Sequence, residues 1–455
     1  MKKFFLLLIF MALSASVFTQ DISKILSERL KSTSIGSSYS VAVVDKNGAK
    51  FYNAGKTSKL KDAKVSNKET VYEIGSITKV FVGILLAEAV RKEEVKLDDS
   101  ISKHLPKNVA APKYNGKEIT LLDLTTHRSS LPRLPDNLDL KNIANPYANY
   151  SVKDTYGFLR SVKLKREIGS KYEYSNFGVG LLGHILSLKA KMSFENLVKA
   201  RILKPLGMND TSITFTPKMK LNLALGYDED GNQASNWDFN ALAGAGALRS
   251  TANDMAKFIS ANLGMTKTPI DSSIFEAQKM RHNAENKTRK IGFGWIQVML
   301  NGSPLLFHGG GTGGYISFLG IDRKKTKGVF IVANSAASVN KVGVEDIGLH
   351  IIDSKFPLRK TKRIKAVTLS ENVLQKYVGE YELAPQFSIT ITREGKKLYL
   401  QATNQPKFEL FASEEDKFFL KVVDAKITFS KDEKGNITSL TLFQNGRELP
   451  GKKIK

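Results

Sequence analysis

Hydrophobic and polar positions predict strands near both ends of the main part of the chain and helices between them. Tyr39–Val44 and Lys50–Asn53 are apolar-rich runs on either side of a polar Asp-Lys-Asn-Gly turn, which predicts two strands joined as a hairpin. From about residue 84 to 300 the apolar positions recur mainly at helical spacing, with proline-containing breaks. This part of the chain therefore indicates a hairpin followed by a largely helical region.

Strand patterns return after the helical region. Gly314–Ile321 and Gly328–Ala333 are apolar runs around a charged turn, and a helix is expected near Val342–Ser354. Strands that lie far apart in sequence, with helices between them, are typical of one antiparallel sheet assembled from distant segments. The fold class that we predict is α+β: an antiparallel sheet flanked by helices, with an inserted helical lobe.

A change of pattern marks a second, smaller domain at the end of the chain. Residues 357–372 form a charged connector, and short alternating runs follow it at intervals suited to hairpins. These runs are Phe387–Ile391, Lys397–Leu400, Lys417–Leu420, Ile427–Phe429 and Ser439–Phe443. We expect residues 373–455 to form a small antiparallel barrel or curved sheet of about 80 residues.

The first residues predict a secretory signal peptide over residues 1–19. Two lysines precede an apolar stretch and then small residues, and the apolar stretch is shorter than a typical membrane span. Cleavage near Ser16 or Thr19 would leave a main domain over residues 20–356, and an uncleaved anchor is the alternative. We expect a periplasmic or secreted protein with no stable membrane span after cleavage.

Composition and charge limit the kinds of catalysis and the partners that we expect. The 455 residues contain no cysteine, which excludes disulfides, thiolate catalysis and lipoprotein anchoring. The net charge is +25, but it is dispersed and lacks the aromatic-basic pattern of a nucleic-acid binder, so no nucleic-acid partner is expected. The charge would either attract anionic cell-envelope polymers or simply keep the protein soluble, and we favour solubility. The six histidines lack metal-binding spacing, so no metal or other cofactor is expected.

One lysine lies against an otherwise apolar helical run. Ser76 and Lys79 are three residues apart and therefore share a helix face, and Val80–Leu86 is apolar on all sides, as in a buried helix. Burial and the helix N-terminus both lower the pKa of a lysine, which would let Lys79 act as a base toward the Ser76 hydroxyl. The spacing alone does not decide, because it recurs in polar surroundings at Ser58–Lys61.

A second stretch supplies a phenol and an amide. Tyr174 and Asn176 come just before another apolar helix. A phenol near an ammonium has its pKa lowered, so we expect Tyr174 to share a proton with Lys79. The Asn176 amide offers a donor and an acceptor to hold an acyl side chain. Taken alone, the two residues would also fit a core tyrosine and a helix cap.

A third stretch is a glycine-rich strand edge. His308 is followed by Gly309, Gly310 and Gly311. Glycines there would let a substrate lie along the strand, with the N–H groups of Gly311 and Ser76 facing a developing oxyanion. A plain flexible turn is the alternative for this stretch taken alone.

These three stretches resemble the motifs of the serine β-lactamase and penicillin-binding protein superfamily, in its class C-like branch. Ser76–Lys79 is similar to the first motif, Tyr174–Asn176 to the second, and His308–Gly310 stands where many members carry Lys-Thr-Gly. The resemblance runs from about residue 35 to 355 in family order, with supporting phrases at Leu124–Pro132, Lys204–Thr211 and Gly246–Asp254. The tail from Tyr377 onward resembles the lipocalin-like C-terminal domains of some of these hydrolases.

The resemblance implies a serine hydrolase that acts on amide, peptide or ester bonds through an acyl-enzyme. It implies that Ser76 is the nucleophile, that Lys79 and Tyr174 move protons, and that Asn176 and the strand at His308, Gly309 and Gly310 bind substrate. The expected partner is a small molecule or peptide, with cell-wall fragments among the candidates. The alternatives are a penicillin- or peptidoglycan-binding protein that is acylated without rapid turnover, and an inactive scaffold. The sequence does not determine the substrate, the oligomeric state or the role of the C-terminal domain.

The histidine at position 308 departs from the family pattern. A lysine there would hold a permanent positive charge for a substrate carboxylate, whereas histidine is mostly neutral at pH 7. We therefore expect a poor β-lactamase that prefers peptides, amides or esters less dependent on a carboxylate at that position.

Overall fold

The computed structural model describes residues 22–32, 36–139, 142, 144–336, 343–359, 366–403, 405–420, 425–444 and 447–455. The chain divides into two compact units, with residues up to Ala336 and Gly343–Arg359 in the first and the residues from 366 onward in the second. The predicted signal peptide lies outside the described residues, as does part of the predicted connector, and the predicted domain boundaries stay predictions. Across the part of the chain that the structure describes, no helix is long and apolar enough to cross a membrane.

An eight-stranded antiparallel sheet forms the centre of the first unit. Its order is β2-β1-β12-β11-β10-β9-β8-β7, so the N-terminal hairpin pairs with strands from residues beyond 300. The strands of the unit are β1 Ser38–Asp45, β2 Gly48–Gly55, β3 Val71–Glu73, β4 Lys113–Tyr114, β5 Lys117–Glu118, β6 Arg249–Thr251, β7 His282–Asn283, β8 Lys290–Ile291, β9 Ile296–Leu300, β10 Ser303–Gly311, β11 Ile316–Asp322 and β12 Lys327–Ala333. Strands β3 and β6 pair separately, as do β4 and β5.

Helices cover both faces of this sheet. Residues 22–32 (α1) are helical, and the other helices of the unit are α2 Thr78–Arg91, α3 Leu121–Thr125, α4 Val152–Ser161, α5 Asn176–Ala190, α6 Phe194–Val198, α7 Pro217–Leu221, α8 Ala252–Leu263, α9 Asp271–Ala277 and α10 Glu345–Ile352. Short 3-10 segments are Gly75–Ile77, Ile101–Lys103 and Asn240–Ala245, and Lys199–Leu203 is a π-helical turn. One apolar cluster joins α1 and α10 to one face of the sheet, and another joins α2, α5 and α8 to the opposite face.

The central strands are buried on both faces, which is why their sequences are nearly continuous apolar runs rather than alternating ones. The structure confirms the predicted hairpin, the paired strands near residues 316–333 and the helix near residue 350. It also confirms that the helix after Ser76 is buried on all sides, since nearly every residue of α2 is inaccessible. The α+β prediction for the first unit is therefore confirmed.

The second unit is a closed antiparallel barrel. After the short helix α11 Glu371–Gln375, its strands are β13 Gly379–Ala384, β14 Phe387–Glu394, β15 Lys397–Ala402, β16 Phe408–Ala412, β17 Lys417–Leu420, β18 Ala425–Lys431, β19 Ile437–Gln444 and β20 Arg447–Lys453. Each strand pairs with the next, and β13 pairs with β20 to close the barrel. A cluster of Tyr377, Tyr381, Phe418 and Phe429 fills part of its interior. The barrel prediction is confirmed, although the alternating pattern revealed only β14, β15, β17, β18 and β19.

Candidate active site

Ser76 lies in a tight turn that leads directly into a buried helix. Residues Gly75–Ile77 form the 3-10 turn, and α2 begins at Thr78. Gly75 has a φ of +52°, a left-handed conformation that glycine adopts without a steric penalty. The residues on either side of Ser76 are buried, while Ser76 itself keeps partial exposure. The turn therefore presents one hydroxyl from an otherwise apolar segment.

Lys79 is fully buried and its Nζ has three polar neighbours. The nitrogen lies 3.0 Å from Ser76 Oγ, 2.9 Å from Asn176 Oδ1 and 2.5 Å from the carbonyl oxygen of Ala245. Burial, and secondly the nearby charge of Arg133, hold the pKa of Lys79 well below its usual value. The lysine is thereby shifted toward the neutral amine, which is the form that can accept a proton.

A neutral amine at this position has one arrangement of hydrogens that suits its neighbours. The carbonyl oxygen of Ala245 and the Asn176 Oδ1 can only accept hydrogen bonds, so the two N–H groups of Lys79 point to them. The protonated lysine donates to Ser76 Oγ as well. In the neutral amine the lone pair would take this third direction, and the serine hydroxyl would become the donor. The arrangement sets a base against the one partly exposed hydroxyl of the turn.

Tyr174 reaches the same hydroxyl. The Ser76 hydroxyl lies close enough to the Tyr174 phenol to affect its pKa, and the Tyr174 ring centroid lies 5.0 Å from Lys79 Nζ. The expectation that the lysine would lower the pKa of Tyr174 is wrong. Desolvation of the phenol outweighs the opposing effects of Ser76 and Arg133 and raises the pKa of Tyr174 to about 12. At neutral pH Tyr174 is therefore a protonated phenol, able to donate a proton rather than to take one.

His127, which the sequence did not single out as a site residue, holds the Tyr174 segment in place. Its Nδ1 accepts a hydrogen bond from the Ser175 N–H at 3.1 Å, and its carbonyl oxygen accepts one from the Glu173 N–H at 2.8 Å. Its ring lies against the Tyr174 ring with centroids 4.5 Å apart. Burial and the nearby Lys79, His308 and Arg133 hold the pKa of His127 well below its usual range, so the ring is neutral.

Asn176 is the first residue of α5 and links Lys79 to a group of aromatic side chains. Its Oδ1 accepts from Lys79, and its Nδ2 donates to the Tyr147 hydroxyl at 3.2 Å. The Tyr147 ring stacks on Phe239 with centroids 4.7 Å apart and meets Trp237 edge-on at 5.6 Å. Asn176 thus orients the Lys79 amine, and its predicted contact with substrate stays a prediction.

The glycine-rich end of β10 forms an open strand edge. On one side β11 pairs with Leu306–Gly311, while on the other side β9 pairs with Ser303–Phe307 and ends there. Gly309 and Gly311 are exposed, and Gly310 is half-buried. An edge left unpaired by its neighbouring strand offers backbone groups to an extended ligand.

Close packing, rather than flexibility, explains the glycines at the inner end of this edge. A methyl group on Gly310 would lie 2.0 Å from the carbonyl oxygen of Ile74 and 2.3 Å from Ser317 Oγ. A methyl group on Gly75 would lie 2.6 Å from the Gly311 nitrogen. The end of β10 therefore packs directly against the turn that carries Ser76, which brings the Gly311 backbone beside the serine. Gly309 lies farther out and has open space around it, since a methyl group there would meet only the Ser317 carbonyl oxygen at 3.8 Å.

His308 is buried and neutral. Its Nδ1 lies 2.7 Å from the carbonyl oxygen of Gly309, which can only accept, so Nδ1 carries the proton and Nε2 keeps a lone pair. Burial lowers the pKa of His308 to about 3, and Lys79 acts in the same direction when it is protonated. Its ring centroid lies 6.3 Å from that of Tyr174. The position that carries lysine in many relatives here presents a hydrogen-bond acceptor.

The structure brings the predicted residues together from three separate segments. Lys79 contacts Ser76 and Asn176, the Tyr174 ring centroid lies 5.0 Å from its Nζ, and the strand at 308–311 reaches the site through Gly310, Gly311 and the His308 ring. Within the described ranges, no group of three or more histidine, aspartate or glutamate side chains could hold a metal ion.

Comparison with protein families gives one match for each unit. The model of the family described as Beta-lactamase matches residues 23–349. A model described as a domain of unknown function, DUF3471, matches residues 363–453. The first match covers well over half of the chain and includes the whole site.

Individual relatives agree with the first match. The D-alanyl-D-alanine-carboxypeptidase/endopeptidase AmpH of Escherichia coli K12 is 27% identical over 329 residues, which are 69% of this chain and 84% of the relative. Protein flp of Staphylococcus aureus N315 is 28% identical over 347 residues, 74% of this chain and 67% of the relative.

Solved structures share the fold. A class C β-lactamase superposes with a TM-score of 0.65 at 20% identity, covering 75% of this chain and 97% of that one. The class C β-lactamase of Rhodobacter sphaeroides gives a TM-score of 0.61 at 23% identity, covering 70% and 94%.

Proposed function

Because the chain belongs to the β-lactamase family, in its class C-like branch, and is a serine hydrolase, we propose that it cleaves amide or ester bonds through an acyl-enzyme on Ser76. The observation that carries the proposal is the hydrogen-bonding of Lys79. Two pure acceptors take two of the hydrogen-bonding directions of its Nζ, and the third, where the neutral amine carries its lone pair, is directed at Ser76 Oγ at 3.0 Å. A serine hydroxyl is a weak nucleophile until such a base removes its proton.

In the first step Ser76 Oγ attacks the substrate carbonyl carbon and Lys79 takes the hydroxyl proton. The carbonyl oxygen becomes an oxyanion, which the N–H groups of Ser76 and Gly311 would stabilise, and one such donor contributes on the order of 100-fold or more in rate. The tetrahedral carbon then releases the leaving nitrogen or oxygen, which takes a proton from the Tyr174 phenol. Lys79 returns its proton to Tyr174, and the product of this half-reaction is an ester of Ser76.

Water completes the cycle by hydrolysing the ester, with the same groups moving protons in the reverse direction. A water molecule loses a proton to Lys79 as its oxygen attacks the ester carbonyl carbon, and Ser76 Oγ leaves with a proton supplied from the Lys79–Tyr174 pair. The free acid and the original enzyme result. The shift of Lys79 toward the neutral amine and the raised pKa of Tyr174 support this division of roles between a base and a proton donor.

For the substrate we propose peptides, amides or esters, D-alanyl peptides among them, rather than β-lactams. The AmpH relative, whose name describes a D-alanyl-D-alanine-carboxypeptidase/endopeptidase, supports a peptide substrate. The neutral His308 supports a weak grip on a carboxylate at that position, because an uncharged ring supplies no ion pair. Turnover of nitrocefin at the rate of a dedicated class C enzyme, sustained above pH 7, would contradict this preference.

The test is to trap and time the acyl-enzyme. Incubation with a fluorophosphonate or a penicillin should add one adduct mass, and peptide mapping should locate it on Ser76. A p-nitrophenyl ester should give a burst of one equivalent followed by steady turnover. An adduct that forms and stays, with no turnover of any ester or D-peptide, would instead favour the alternative of a penicillin- or peptidoglycan-binding protein.

We also propose that the protein acts outside the cytoplasm, with a domain boundary within residues 357–372. The support is the signal-peptide pattern of residues 1–19 and the separation into two compact units. Cell fractionation of the tagged full chain, with mass measurement of its N-terminus, tests the first proposal.

A further inference from the structure

Arg133 is an exposed cation beside the site, and neither the proposed mechanism nor the sequence motifs use it. Its guanidinium carbon lies 5.1 Å from the Tyr174 ring centroid. Lys79 Nζ lies 5.0 Å from the same centroid. A single phenol ring therefore bridges the buried amine and a guanidinium that is open to solvent.

The backbone of Arg133 is held rigidly at the start of α5. Its carbonyl oxygen accepts hydrogen bonds from the N–H groups of Asn176 at 3.0 Å and Phe177 at 3.3 Å. The carbonyl oxygen of Pro132 accepts from Ser175 Oγ at 2.6 Å. The same helix terminus therefore fixes both the Tyr174–Asn176 segment and the residue that carries the cation.

No carboxylate in the described part of the chain forms an ion pair with Arg133, whose guanidinium meets the Tyr174 ring instead. Its charge acts inward, because it contributes to the lowered pKa of Lys79 and opposes the desolvation that raises the pKa of Tyr174 and Tyr147. An unpaired guanidinium can bind a carboxylate through two parallel N–H···O bonds and stays charged at every physiological pH.

We propose that Arg133 recognises a carboxylate on the leaving-group side of the substrate, in place of the cation that position 308 does not supply. The inference rests on the proposed function, since it uses Tyr174 as the group that protonates the leaving atom. Because Arg133 lies over the ring of that same tyrosine, a carboxylate attached near the leaving atom comes within its reach. The substrate class that follows is esters and amides whose departing part is an acid.

A matched pair of esters tests the proposal on the full-length protein. 3-Acetoxybenzoate has an anionic leaving group, and methyl 3-acetoxybenzoate is its neutral counterpart with the same acyl part. We expect wild type to favour the anion in kcat/KM, and Arg133→Gln to reduce the ratio of the two kcat/KM values by about tenfold, a modest effect because the guanidinium is exposed. The effect should lie mainly in KM. Arg133→Lys should keep most of the preference, because it keeps the charge.

A control variant removes an equally exposed charge elsewhere. Lys324 is exposed in the turn after β11, a strand that ends three residues beyond Leu319, the partner of His308. Lys324→Gln should leave the ratio unchanged. The preference of wild type should also weaken as salt rises and stay flat from pH 6 to 9, since arginine does not titrate there.

The outcomes separate this inference from the proposed function. If the neutral ester shows a burst in wild type but the ratio is the same in Arg133→Gln, Arg133 does not recognise the anion and the inference is overturned. A ratio that falls steeply as pH rises, and is lost in His308→Gln, would assign the anion to His308 and would equally overturn it. If neither ester acylates wild type, the proposed function fails, and the inference fails with it.

Discussion

The serine–lysine spacing of Ser76 and Lys79 recurs at Ser58 and Lys61, and the two pairs differ in their surroundings. Ser76 and Lys79 lie where a 3-10 turn enters a buried helix, with Nζ 3.0 Å from Oγ. Ser58 and Lys61 lie in a loop of bends and turns, where Ser58 Oγ accepts a hydrogen bond from the Leu60 N–H and Lys61 is exposed. Lys79 is therefore shielded from solvent, whereas Lys61 is exposed to it.

The comparison shows that the spacing alone does not make a lysine a base. A lysine in water stays protonated at neutral pH and cannot act as a base. Burial removes the solvation that favours the charge, and the acceptors at Asn176 and Ala245 then direct the lone pair of Lys79 to the serine. Removing the serine, then the lysine, and then the close packing behind the turn should lower activity by successively smaller amounts.

Removing the nucleophile should have the largest effect. Ser76→Ala is expected to lower kcat for a p-nitrophenyl ester by about 10⁴-fold or more and to abolish the burst and the fluorophosphonate adduct. The matched change Ser58→Ala removes the hydroxyl of the other copy and should leave burst amplitude and kcat at the level of wild type. Equal loss in both variants, or an adduct that persists in Ser76→Ala, would contradict the assignment.

Removing the base should come next. Lys79→Met keeps most of the side-chain volume and is expected to lower kcat by roughly 10²- to 10⁴-fold, the range typical of a lost general base. Lys61→Met should have no measurable effect on kcat.

The pH profile tests the same residue without mutation. A base must be unprotonated, so kcat/KM for a neutral ester should fall as pH drops through the pKa of Lys79. Because burial lowers that pKa, the rate should already be on its plateau well below the pH at which an ordinary lysine titrates. A profile that still rises steeply through pH 10 would show a lysine with an unshifted pKa and would contradict the proposed base.

A change outside the serine–lysine pair should give the smallest effect. Gly310→Ala puts a methyl group 2.0 Å from the Ile74 carbonyl oxygen, so the turn that carries Ser76 must move. We expect a loss of about 10- to 100-fold in kcat/KM and of about 1–3 kcal/mol in the free energy of unfolding by urea. Gly309→Ala has open space and should cost less than about 0.5 kcal/mol in unfolding free energy. Equal stability of the two variants would contradict the close packing of β10 against the turn.

The sequence alone predicted most of the residues that form the candidate site. Ser76, Lys79, Tyr174, Asn176 and the strand at 308–311 were all identified from motifs, because each motif is local and has a recognisable spacing. The direction of the Tyr174 pKa shift was predicted wrongly. The prediction considered the nearby lysine, whereas the result depends on how much water the fold removes from the phenol.

Other residues of the site carried no signal that chemistry alone would detect. Ala245 contributes only a carbonyl oxygen, which every residue possesses. His127 lies within Leu124–Pro132, a segment that resembles the family, and Arg133 follows it directly. Their contacts with Tyr174 join residues more than forty positions apart in the chain. Tyr147 reads as an ordinary aromatic residue until its bond to Asn176 is seen.

The amino-acid sequence by itself determined the α+β pattern of the main unit, the apolar helix behind Ser76, the barrel pattern of the tail and the set of candidate reacting groups. Those properties depend on neighbours within a few residues, where helix and strand geometry fix which side chains share a face. The tertiary structure alone decided which groups are neutral, which way the Lys79 lone pair points and which cation stands at the mouth of the site. Proton affinity and hydrogen-bond direction depend on water excluded and partners supplied by distant segments, and only folding brings those segments together.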